Sequence, residues 1–166
     1  MRGCFISILF FFCILIIAFV VWYSNIGREN LYYIEEADIY IKTFPSRETA
    51  VIAFSDKKIN KFSDTLDYIK VRKGDDYATN FLFNPTQKKM IYDTGSNSIR
   101  EVHLINYELD KIPHRDTTYY EYKESGGYLL KYPYVKISFY LRGATEKVSL
   151  KNREDISYTE IKPIGK

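Results

Sequence analysis

An all-β domain preceded by one N-terminal apolar helix is the architecture this sequence predicts, and three observations predict it. Past residue 24 no segment keeps a helical apolar period over ten residues. Short runs of alternating apolar and polar residues recur instead, each closed by Gly, Pro, Asn or Asp. Tyr supplies 16 of the 166 residues, and a Tyr ring packs on a pleated face while its hydroxyl stays wet. About eight to ten short strands in one domain point to a barrel or a sandwich.

Taken in order, the chain divides at residues 24 and 65. Residues 25–65 read as a stalk and an N-terminal hairpin, with Leu31–Ile34 at the start of the folded part. Ile39 and Ile41 fall on one face of Asp38–Phe44, with Tyr40, Lys42 and Phe44 on the other. Pro45-Ser46 breaks that run, and Thr49–Phe54 supplies the returning strand. Residues 55–65, SDKKINKFSDT, are polar and fit a loop or a short helix equally well. Residues 66–166 form the main β domain. Its expected strands are Leu66–Arg72, Tyr77–Phe83, Lys89–Tyr92, Arg100–Leu109, Thr117–Lys123, Tyr128–Tyr132, Tyr134–Arg142, Lys147–Leu150 and Ile156–Ile161. Tyr134–Arg142 alternates most cleanly, with Val135, Ile137, Phe139 and Leu141 opposed to Tyr134, Lys136, Ser138 and Tyr140.

Cys4 to Tyr23 is twenty residues without a charge. As a helix it is about 30 Å long, the thickness of a hydrocarbon core. Val20-Val21-Trp22-Tyr23 lacks the small residues of a signal-peptidase site, so an uncleaved anchor through residues 4–23 is expected in preference to a cleaved signal. Arg2 and the terminal amine on one side place the N-terminus in the cytoplasm and residues 25–166 outside, in the periplasm or beyond the cell. Cys4 and Cys13 are the only cysteines, so residues 25–166 hold neither a disulfide nor a Cys-based metal site. The net charge of +3 is spread among Asp, Glu, Lys and Arg, which gives no footprint for nucleic acid.

The stretch richest in chemistry is Met90–Ser98, MIYDTGSNS. An apolar strand runs into Asp93, then turns through Thr94 and Gly95, presenting a carboxylate at a tight bend. Ser125-Gly126-Gly127 forms a glycine tip between two strands, and Lys162–Lys166 reads KPIGK. In that order the three stretches resemble the landmarks of the retropepsin-like, single-lobe aspartic proteases over about residues 66–166. The resemblance implies a closed β-barrel in which Asp93, Thr94 and Gly95 form the catalytic turn. Gly126 and Gly127 would lie in a flap over substrate, and Ile164 and Gly165 in the ψ-shaped loop beside the turn. It also implies a homodimer, because one Asp per chain has to meet its copy on a two-fold axis. Two carboxylates about 3 Å apart share one proton and divide the roles of base and acid, with no metal and no cofactor. Family members continue past the final Gly with a helix. This chain runs one residue beyond Gly165, so an endopeptidase or a degenerate relative is implied, acting on a peptide or protein substrate.

Other candidate residues carry less. His103 lies in a strand and His114 near Asp116, but no Ser sits at a nucleophile elbow. Asp75-Asp76 lacks the alternating oxygen ligands of a calcium loop. The alternative to a peptidase is a non-enzymatic β-domain that binds a protein partner, as an immunity, adaptor or envelope protein does. In that case Asp93-Thr94-Gly95 is a turn and nothing more.

Overall fold

The computed structural model describes residues 2–24, 27–74, 79–93, 99–112, 119–122, 128–131, 134–142, 145–151 and 159–164. After helix α1 (Arg2–Ser24) come β1 (Asn30–Ile34), a 3-10 turn at Glu35–Ala37, β2 (Ile39–Pro45), β3 (Thr49–Ser55) and β4 (Asp67–Arg72). There follow β5 (Thr79–Asn84), β6 (Lys89–Asp93), β7 (Ile99–His103), β8 (Glu108–Ile112), β9 (Tyr120–Tyr122) and β10 (Tyr128–Leu130). The last strands are β11 (Val135–Arg142), β12 (Thr145–Lys151) and β13 (Thr159–Ile161). The domain is all-β, as its alternating runs predict.

One sheet has the order β1-β2-β3-β4-β7 and the other the order β13-β12-β11-β5-β6-β8, while β9 and β10 form a separate hairpin. Among the described residues no pairing closes either sheet into a barrel. Neighbours pair antiparallel except β6 and β8, which run parallel from Lys89↔Glu108 to Asp93↔Ile112. The registers follow the side-chain pattern. Ile41 stands opposite Phe54 and Ile52 opposite Ile69, so each apolar set shares one face.

Those inner faces meet in one core. Phe81 of β5 lies 6.2 Å from Phe54, 5.8 Å from Tyr92 and 5.9 Å from Phe139, all between ring centroids. Ring pairs at this spacing add attraction beyond the area they bury. Towards the β1 edge the seam is polar: the Tyr32 hydroxyl and Thr43 Oγ1 donate to Glu146 Oε1 at 2.6 and 2.7 Å. Burial, then the hydrogen bond and charge of Glu146, hold the Tyr32 phenol well above the ordinary tyrosine range.

The folded part begins at β1, which contains Leu31–Ile34 as expected, while other sequence boundaries shift. β4 pairs with β3 across the expected division at residue 65. Residues 56–66 form a loop laid over the outer face of the first sheet. Ile59 within it is buried, Phe62 sits 5.4 Å from Phe44 and 5.2 Å from Tyr68, and the Asn60 carbonyl accepts from Lys42 Nζ. The expected strand Arg100–Leu109 is two strands in different sheets, joined by a turn at residues 104–107.

The N-terminal expectation requires correction. Among the described residues no helix is long and apolar enough to cross a membrane. A single-pass anchor with a cytoplasmic N-terminus and an extracytoplasmic domain is therefore not supported.

Candidate functional site

Of the expected site residues, Asp93 and Ile164 are among those described. Asp93 is the last residue of β6, at the end where β6 and the parallel β8 finish together. Thr94 and Gly95 lie outside the described residues, as do Gly126, Gly127 and Gly165. The strands on either side of residues 125–127 pair antiparallel as the β9–β10 hairpin, Tyr128 with Tyr122 and Leu130 with Tyr120. This hairpin packs on the back of the second sheet, where Leu130 meets Leu82 and Ile91, bordered by Tyr119, Tyr120 and Tyr134. Hairpin and Asp93 thus share strand β6.

Ile164 is not brought to them. It follows β13, and β12, β11 and β5 lie between β13 and β6. Its side chain is 45% exposed, and its backbone N–H donates to the Leu31 carbonyl of β1 at 2.7 Å. At about 4.8 Å per strand, four strand steps separate Asp93 from this segment by roughly 20 Å. His103 is occupied structurally: its ring stacks on Tyr68 at 5.0 Å and Nε2 meets the Asp64 carbonyl at 2.9 Å. His114 lies outside the described residues.

The most elaborate polar construction lies at the opposite end of β6. Asp67, at the first position of β4, is 2% exposed. Its Oδ1 accepts the backbone N–H groups of Ile105, Asn106 (2.7 Å) and Tyr107 (3.3 Å), while Oδ2 accepts Asn106 Nδ2 at 2.7 Å. Three successive amides aimed at one anion make a nest, here filled by the protein's own carboxylate. The nest fixes the β7–β8 turn and holds Ile105 outward, 59% exposed.

Beside this clamp is a cleft of about 280 Å³. Asp56 and Lys57 after β3, Lys88 before β6, and Asn106 and Tyr107 of the clamped turn line it. Lys88 sits at φ 51, a left-handed conformation uncommon for residues other than Gly, and its carbonyl accepts the Glu108 N–H at 3.3 Å. Asn84 Oδ1 accepts the Gln87 N–H at 3.1 Å and secures the turn that leads into Lys88. Among the described residues no cluster of His, Cys, Asp and Glu has the makings of a metal site.

Burial, then the charges of Asp56, Asp67 and Asp38, push the Tyr107 phenol up to about 12. The folded state thus favours the protonated phenol. The associated stability is fully present below about pH 10 and is lost as pH rises towards 12. It amounts to on the order of 2 kcal/mol. Urea midpoints measured from pH 9 to 12 should fall steeply for the native chain and less steeply for Tyr107→Phe. Parallel curves would show that burial of this phenol is not linked to folding.

Compared with protein-family models, with curated proteins and with solved structures, the chain matches none of them. No family is assigned. The likeness to retropepsin-like proteases rests on the residues at 90–98, 125–127 and 162–166 and on their order.

Neither the Asp67 clamp nor the cleft is legible in the sequence. Asp67 reads there as an ordinary first residue of a strand, since its partners lie 38 to 40 positions downstream. The one local hint is the run Ile105-Asn106-Tyr107, which interrupts an alternating stretch with a turn-forming residue.

Proposed function

We propose that this domain acts by binding a protein partner and not by cleaving peptide bonds. The observation that carries this is the separation of Asp93 from Ile164 across β5, β11 and β12. A retropepsin-like site needs the apolar-Gly segment to buttress the catalytic turn from the adjoining position. Here that segment is tied to β1 in the other sheet through its backbone. A second feature supports binding: the rigid turn at residues 104–107 presents Ile105 to solvent beside half-exposed Val102. Exposed apolar side chains on an ordered backbone cost little entropy when a partner covers them.

A peptidase role, with paired Asp93 of a homodimer in a retropepsin-like barrel, is favoured by one observation, the packing of the β9–β10 hairpin on the strand that ends in Asp93. The two roles separate by assay. The full chain and its Asp93→Asn variant are incubated with a peptide library from pH 3 to 7 and cleavage is read by mass spectrometry. Binding without catalysis predicts identical digests from both proteins. Cleavage that disappears with Asp93→Asn would overturn the proposal and establish the carboxylate mechanism.

A further inference from the structure

We infer that the corner where β1 and β13 lie side by side takes up an extended basic segment of a protein partner as an added strand. This rests on the partner-binding role proposed above. It places a contact away from Val102 of β7, at the other edge of the first sheet.

The open edge is the first support. β1 ends the first sheet and β13 ends the second, and among the described residues each pairs with a single strand. The Leu31 carbonyl points away from β2, since it accepts the Ile164 N–H at 2.7 Å. Backbone direction alternates along an antiparallel strand, so Tyr33, two residues on, aims its N–H and carbonyl the same way. Among the described residues no strand meets them there. An extended segment thus already bonds to this edge at Leu31, and beyond it the two terminal strands part around a cleft of about 420 Å³. A sheet edge with unpaired backbone groups is a template for a further strand.

Charge and side-chain direction select the occupant. Tyr33, Glu35 and Glu36 line one side of the cleft, and Leu150, Glu160 and Ile161 the other, so the lining holds three carboxylates and no cation. Glu35 and Glu160 take part in none of the ion pairs among the described residues. The pairing of Ile161 with buried Val148 turns Ile161 to the core face and Glu160 to the outer one. A strand alternating basic and apolar residues matches both faces. Its cations turn outward to the carboxylates, and its apolar side chains turn inward onto Ile161 and Leu150.

Isotope-labelled full-length protein is titrated with the peptide acetyl-Lys-Val-Lys-Val-Lys-amide at low and at high salt. Its Glu-Val-Glu-Val-Glu analogue, and the basic peptide methylated at every backbone nitrogen, serve as comparisons. The expected result is a saturable shift of the Tyr33 and Glu160 amides, with slower hydrogen exchange at the Tyr33 N–H. Binding should weaken at high salt and fall about fivefold or more in Glu35→Gln/Glu160→Gln. The melting temperature of that variant should stay within a few degrees of the parent. Neither the acidic nor the methylated peptide should saturate the shift. No saturation by the basic peptide, equal binding of either comparison peptide, or undiminished affinity in the double variant would overturn the inference. Identical digests from the native and Asp93→Asn proteins, with no peptide docking, would remove this site and leave the partner role standing. Asp93-dependent cleavage with intact docking would remove the non-catalytic role and leave the edge site standing.

Discussion

Phe81→Ala should destabilise this domain by about 3–5 kcal/mol, the upper range for truncating a buried side chain. The ring is 1% exposed and lies at the meeting point of the two sheets, in contact with Phe54 of the first and Tyr92 and Phe139 of its own. Its removal leaves a cavity walled by three aromatic rings, which are rigid and collapse poorly into the gap. Phe81→Leu keeps much of the volume and should cost less than half as much. Urea denaturation monitored by circular dichroism provides the check. Equal losses for Ala and Leu would show that the two sheets do not pack at this point.

Asp67→Ala is the second large effect, with an expected loss of about 2–4 kcal/mol. The carboxylate is buried and receives three backbone N–H groups and one side-chain amide, so its deletion strands several donors at once. Asp67→Asn keeps the shape but turns one acceptor into a donor facing donors, and should recover little. Besides lowering the unfolding midpoint, either change should increase hydrogen exchange at Ile105, Asn106 and Tyr107 well above that at the core strands. Unchanged exchange at those amides would contradict the clamp.

These two residues also mark how far the sequence carries. Phe81 belongs to an alternating run, and alternation reports directly which face a strand buries, so β2 to β6 and β11 are legible within a residue or two. The span from residue 100 to 109 is not legible as two strands, because the turn within it is made by Asp67, which no local pattern can announce. Residues 55–65 are ambiguous for a related reason. Their path follows from Phe62 packing on Phe44 and Tyr68, on a sheet face built by distant strands, and from the bond of Lys42 to the Asn60 carbonyl. The apolar run into Asp93 does place that residue at a strand end, yet sequence order cannot tell that β13 lies on the far side of the sheet. Order along a chain constrains which strands exist, and long-range pairing decides which strands are neighbours.

That pairing is the basis of the functional proposal and can be measured directly. Cys4 and Cys13 are replaced by Ser, spin labels are attached at Asp93→Cys and Ile164→Cys, and the labelled protein is diluted with unlabelled chain. The dipolar distance then reports one molecule. The β13-β12-β11-β5-β6 order predicts a distribution centred at roughly 20 Å or beyond. A second pair, Leu31→Cys with Ile164→Cys, should be in near contact, as the backbone bond between them requires. A short Asp93–Ile164 distance, with Leu31 far from Ile164, would contradict the strand order and return the chain to an assembled aspartic-protease turn.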